Sequence, residues 1–137
     1  MAYWLVKSEP GTWSWEDQQR DGTTFWNGVR NYQASNNLKA MRKGDLAFFY
    51  HSVNEKRIVG IVEVVREYYP DHTDDSGRFG MVDFKAVKPL PRPVTLAEVK
   101  TDPRLSDMAL IRQSRLSVMP VTDAQWRVIT ELGGVEA

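Results

Sequence analysis

Apolar residues in this chain fall into short runs broken by polar turns, and the runs follow two periods. Tyr3-Trp4-Leu5-Val6 reads as a buried strand that halts at Lys7-Ser8-Glu9-Pro10-Gly11, where Pro and Gly break the ladder. Ser14 before Trp15-Glu16-Asp17 predicts a short helix start, ended by Asp21-Gly22. Asn31 is placed to cap a helix reaching about Met41, with Tyr32, Leu38 and Met41 on its apolar side. Arg42-Lys43-Gly44-Asp45 reads as the helix exit, Leu46–Tyr50 as a strand, Val53–Lys56 as a turn and Arg57–Val65 as the returning strand. Apolar residues on both parities of that strand predict cover on both faces, as in a barrel.

Tyr68–Gly77 reads as an acid-rich loop and Met81–Val87 as a half-exposed strand. Pro89, Pro91 and Pro93 are expected to exclude regular structure, and Thr95 to Glu98 to open a brief helix that Asp102-Pro103 ends. Ser106–Ile111 reads as a short helix or turn, Arg115–Met119 as a strand, and Thr122 as the cap of a last helix through Leu132. The sum is one α+β domain over residues 1–137, with five to six mostly antiparallel strands in a β-barrel decorated with short helices.

Composition narrows the function. Eighteen basic residues balance eighteen acidic ones, so a long nucleic-acid footprint held by bulk charge is not expected, whereas a local basic patch is. The absence of cysteine removes disulfides, zinc-thiolate sites and thiol nucleophiles. With no basic leader or long apolar stretch, the expectation is a cytoplasmic protein without a membrane partner; with only two histidines and with Asp71, Asp74 and Asp75 lacking calcium-loop spacing no metal is expected, nor any cofactor, and the chain is expected to be monomeric.

Four stretches carry candidate chemistry. Trp26 to Asn36 combines an indole, a glycine, an arginine and several amides, which suits stacking on a planar ligand and reading its edge, or else a core plug, turn and helix cap. Lys7-Ser8-Glu9 offers a charge for a phosphate, a hydroxyl and an acceptor, or an ordinary solvated strand end. Tyr50-His51-Ser52 follows an apolar strand, where a histidine either contacts a ligand, acts as a base or satisfies a carbonyl. His51, a serine and Glu9 are the inventory of a hydrolase, but no nucleophile elbow surrounds either serine. Arg112-Gln113-Ser114-Arg115-Leu116-Ser117 places two arginines three apart, either as phosphate binders or as a charged helix end.

Taken in order, Lys7-Ser8-Glu9-Pro10, Trp26 to Ala34, Met41 to Asp45, Phe49 to Ser52, Tyr69-Pro70-Asp71 and Ser114 to Val118 resemble the motifs of the EVE domain family over almost the whole chain. The resemblance implies a PUA-like fold and a non-enzymatic nucleic-acid-binding domain that reads a modified base, C5-modified cytosine or a relative of it, in DNA or RNA. It implies a pocket bordered by Lys7, Ser8, Trp26, Asn31, Tyr50, His51, Ser52, Arg115 and Ser117, to which Glu9, Val29, Arg30 and Leu116 are added from the same stretches. That pocket is expected to present an exposed indole and a positive rim. The alternative is a small-molecule binder or hydrolase-like enzyme using His51. One departure is visible: Ser35 stands where the family usually has arginine, which removes one implied phosphate contact.

Overall fold

The computed structural model describes residues 1–135. Its strands are β1 (Tyr3–Ser8), β2 (Thr23–Phe25), β3 (Leu46–His51), β4 (Arg57–Pro70), β5 (Gly80–Thr95) and β6 (Val118–Val121), joined in one six-stranded sheet of order β2-β5-β4-β3-β1-β6. β1 and β3 run parallel, and every other neighbouring pair is antiparallel. The sheet is open, which corrects the expected barrel. Its edges β2 and β6 are three and four residues long, too short to supply the ladder that closure needs.

The helices are α1 (Trp15–Asp21), α2 (Tyr32–Ala40), α3 (Leu96–Thr101), α4 (Ala109–Arg112) and α5 (Asp123–Leu132), with a 3₁₀ turn at Pro103–Leu105. Their starts lie where the side chains dictate. Ser14 with Asp17, Thr95 with Glu98 and Thr122 with Gln125 form reciprocal capping boxes, and Asn31 Oδ1 accepts from the Ala34 amide at 2.9 Å.

Strand boundaries depart further from the pattern. β4 continues past Val65 to Pro70, so Tyr68 and Tyr69, expected in a loop, lie on a strand, Tyr68 within a bulge and Tyr69 opposite Met81 of β5. β5 likewise runs through the three prolines, because β2 pairs with Asp83–Lys85 alone and leaves the later residues at a local edge. There Ile58 and Gly60 oppose Val94 and Pro89, so Pro91 and Pro93 occupy a bulge where no ladder donor is required. β6 begins at Val118 rather than Arg115, and the residues before it form turns.

The register of β1 positions the rest. Lys7 lies opposite Tyr50 and Ser8 opposite His51, while on the other side the Lys7 amide donates to Ser117 O at 2.9 Å. Three stretches far apart in sequence therefore meet at one sheet end. Toward the start of β1, Phe48 stacks on Trp126 at 3.9 Å and Trp126 on Tyr3 at 4.3 Å, pinning α5 to the sheet. Trp15 packs edge-on to Phe49 at 5.3 Å and lies flat over Gly60, where a Cβ would come within 2.5 Å of its ring. Gly60→Ala is therefore expected to destabilise the fold by about 1–3 kcal/mol through overpacking, measured as a lowered urea midpoint with an unchanged slope.

Candidate nucleic-acid interface

A cavity of about 610 Å³ opens at the sheet end where β1 stops, within the usual range of small-ligand sites. Lys7, Ser8 and Glu9 line one side, Thr12 and Trp13 of the next loop a second, and the segment from Thr24 to Asn31 a third, with Ser117 closing the ring. The walls combine aromatic surface with hydroxyls and amides, the mixture that can hold a planar ring and read its polar edge.

The Thr24–Asn31 wall is fixed from outside by one buried carboxylate. Asp71 is 3% exposed; its Oδ2 accepts from the Gly28 amide at 2.8 Å and from Arg30 Nη1 at 3.0 Å, and its Oδ1 from the Thr73 amide at 2.7 Å. Gly28 sits at φ +86°, a left-handed backbone that favours glycine, and this turn aims its N–H at Asp71. Arg30 Nη2 also donates to Thr73 Oγ1 at 3.0 Å, so the guanidinium is spent on the fold rather than left for a phosphate.

Trp13 is oriented by fully buried Gln18, whose Oε1 accepts from the indole at 2.9 Å while its Nε2 donates to Gly22 O and Phe84 O. Ser8 Oγ donates to Trp13 O, tying that loop to β1. Trp26 is 8% exposed and wedged edge-on between Phe49 at 5.6 Å and Phe84 at 5.4 Å, so the expected exposed indole is instead a floor panel of the cavity. Lys7 Nζ donates to Ser114 O at 2.8 Å and lies 5.8 Å from the Tyr50 ring; burial lowers its pKa from the usual lysine value.

Of the residues singled out in the sequence, Lys7, Ser8, Glu9, Trp26, Val29, Arg30, Asn31 and Ser117 line this cavity together. Tyr50, His51 and Ser52 stand behind it, outside the lining. Tyr50 is buried beneath Lys7, and the Ser52 amide donates to Ser8 O at 2.9 Å. His51 is 3% exposed; its Nε2 accepts from the Trp15 amide and its Nδ1 pairs with Glu55 Oε1, both at 2.9 Å. Neither Ser8 nor Glu9 meets the imidazole, so the hydrolase arrangement is not assembled. Arg115 and Leu116 border a separate hollow instead. Ser35 is buried in α2 with its hydroxyl 3.3 Å from Tyr68 Oη.

Sequence reasoning missed Thr12, Trp13, Thr24 and Phe25 in the lining, whereas Asn27 and Gly28 fall within the Trp26–Asn36 stretch it singled out. Trp13 carried a signal: a tryptophan inside a polar turn, on no apolar period. Phe25, 45% exposed beside His72 at 4.7 Å, lies on a strand too short to show alternation. Among the described residues no cluster of three or more His, Cys, Asp or Glu could hold a metal, and no helix is long and apolar enough to cross a membrane.

Comparison with known proteins gives a consistent picture. The EVE domain family model matches residues 2–132. Thymocyte nuclear protein 1 of Gallus gallus is 40% identical over 96% of this chain and 68% of its own length. An NMR structure of a protein from Rhodopseudomonas palustris is 57% identical with a TM-score of 0.93, covering 98% of this chain and 94% of that one. Human THYN1 protein, crystallised in complex with DNA containing 5-methylcytosine, is 36% identical with a TM-score of 0.91 over 100% of both chains.

The Asp71 cluster sets an acid dependence. Burial pushes this carboxyl up, but the Thr73 hydroxyl, the Gly28 and Thr73 amides and Arg30 outweigh it and lower it from 3.8 to about 2. Because the folded value lies below the unfolded one, the stabilisation is present above about pH 4 and is lost as pH falls toward 2; it amounts to about 2 kcal/mol. Urea unfolding of wild type and Asp71→Asn across that interval is expected to show a shallower acid loss in the variant, from a lower starting stability. An unchanged acid profile would assign the loss to other carboxylates.

Proposed function

The chain belongs to the EVE domain family, and from that premise and the geometry of its cavity we propose that it is a non-enzymatic nucleic-acid-binding domain, a reader of a C5-modified cytosine or similar base. The observation that carries this reading is a cavity large enough for a base, walled by Trp13, Trp26 and Phe25, edged by the Ser8 and Ser117 hydroxyls and the Asn31 amide, with the Lys7 ammonium at its side. Asn31 Oδ1 is used in capping α2, while its amide N–H groups have no protein partner among the described residues. The complex of human THYN1 protein with 5-methylcytosine DNA supports the same ligand class here.

A base entering this cavity must leave its stack, at a cost of a few kcal/mol, and stacking on an indole returns about 1–3 kcal/mol. Trp13, half-buried and held by Gln18, is the ring for that role, with Trp26 beneath. Hydrogen bonds from hydroxyls and amides supply discrimination among bases. A C5-methyl group adds about 0.8 kcal/mol when buried, roughly a fourfold preference. The His51 network supports a binding rather than a catalytic role, since both ring nitrogens serve the fold. The PUA-like relationship, a monomeric state and a cytoplasmic setting belong to the same proposal.

Titration of short DNA oligonucleotides with cytosine or 5-methylcytosine at one position checks it. Binding is expected at low salt, weakening as salt rises, with a roughly fourfold preference for the modified base. Trp13→Ala should weaken both complexes by about fivefold to a hundredfold. Absence of binding at low salt with either base would overturn the reading.

A further inference from the structure

A second hollow, of about 370 Å³, opens beside the base cavity, and Asn31 lines both. Its other walls come from Gln33 on α2, from Arg112 at the end of α4 and from the turn Gln113 to Leu116 that follows. No lining residue carries a carboxylate, in a chain whose charges otherwise balance at eighteen of each sign. Arg115 is exposed, and its guanidinium has no ion pair or hydrogen bond among the described residues.

The neighbouring groups are donors as well. Arg112 Nη2 meets Asp107 Oδ1 at 2.9 Å, but the two side chains are 64% and 86% exposed, so the pair is weak and exchangeable. Gln33 Nε2 donates to Gln113 Oε1 at 2.7 Å, which ties α2 to the turn and leaves the Gln113 amide N–H groups available. At the boundary, Lys7 reaches from the base cavity to Ser114 O at 2.8 Å and keeps further N–H donors beside it.

Resting on the base-reader reading, we propose that this hollow is a phosphate seat: it receives the phosphodiester adjoining the inserted nucleotide, with the strand crossing Asn31 and the Arg115 fork as its main contact. A planar five-donor guanidinium suits a phosphate's paired oxygens. Arg30, the arginine nearest the base cavity, is occupied by Asp71, so backbone affinity falls to the Arg112–Arg115 turn. The seat carries affinity without base identity.

Arg115→Gln tests this, with 5-methyl-2′-deoxycytidine as a ligand that has no phosphate. The exposed substitution is expected to leave the melting temperature unchanged and to weaken oligonucleotide binding about tenfold, by the same factor for cytosine and 5-methylcytosine. The dependence of log affinity on log salt should become shallower by about 0.7–0.9, and nucleoside binding should not change. Arg115→Lys should restore the salt slope and only part of the affinity. Unchanged oligonucleotide affinity and slope, or an equal loss for the nucleoside, would overturn the phosphate seat. A wild-type protein that bound oligonucleotides without regard to the modification would contradict the base reading while the slope still decided the seat; one that bound none would overturn both.

Discussion

A buried carboxylate organises this molecule's working end. Asp71 lies in the loop between β4 and β5, yet its oxygens hold the amide of Gly28 and the guanidinium of Arg30, more than forty residues earlier in the chain. Leaving it unpaired would strand a buried charge, a cost of several kcal/mol, so the two loops are compelled to meet. That meeting stands the Thr24–Asn31 segment upright as a wall of the cavity. It also removes Arg30 from the pool of free cations and shifts the positive character of the site toward Lys7 and Arg115.

The opposite wall depends on β1 lying between a parallel and an antiparallel neighbour. Parallel pairing with β3 brings Tyr50, His51 and Ser52 level with Lys7 and Ser8, and pairing toward β6 brings Ser117 alongside. Work is divided between layers: Lys7, Ser8 and Ser117 face the cavity, while His51 holds the start of α1 through the Trp15 amide and Ser52 holds the end of β1.

Much of this was legible in the chain. Ser14, Asn31, Thr95 and Thr122 announced their helices because a cap is a contact within three residues. The convergence of Lys7-Ser8-Glu9, Trp26 to Asn31 and Ser117 was also expected, and they share one cavity. What failed required knowledge of neighbours. The prolines of β5 are tolerated because β2 ends early, and the sheet stays open because its edges are short. Trp26 reads as a recognition indole but is gripped by Phe49 and Phe84 from distant strands, whereas Trp13 is held at the cavity by Gln18. Arg30 could have faced a phosphate or an acid, and only the arrival of Asp71 decides between them.

The central claim is that a single modified base occupies the cavity between Trp13 and Trp26. The indole N–H signals of the five tryptophans, followed by NMR during titration with 5-methyl-2′-deoxycytidine, test it most directly. Trp13 and Trp26 are expected to shift progressively, while Trp4, bonded to Asp45, Trp15, packed on Gly60, and Trp126, stacked between Tyr3 and Phe48, remain in place. Shifts confined to the latter three, or none at saturating nucleoside, would contradict it.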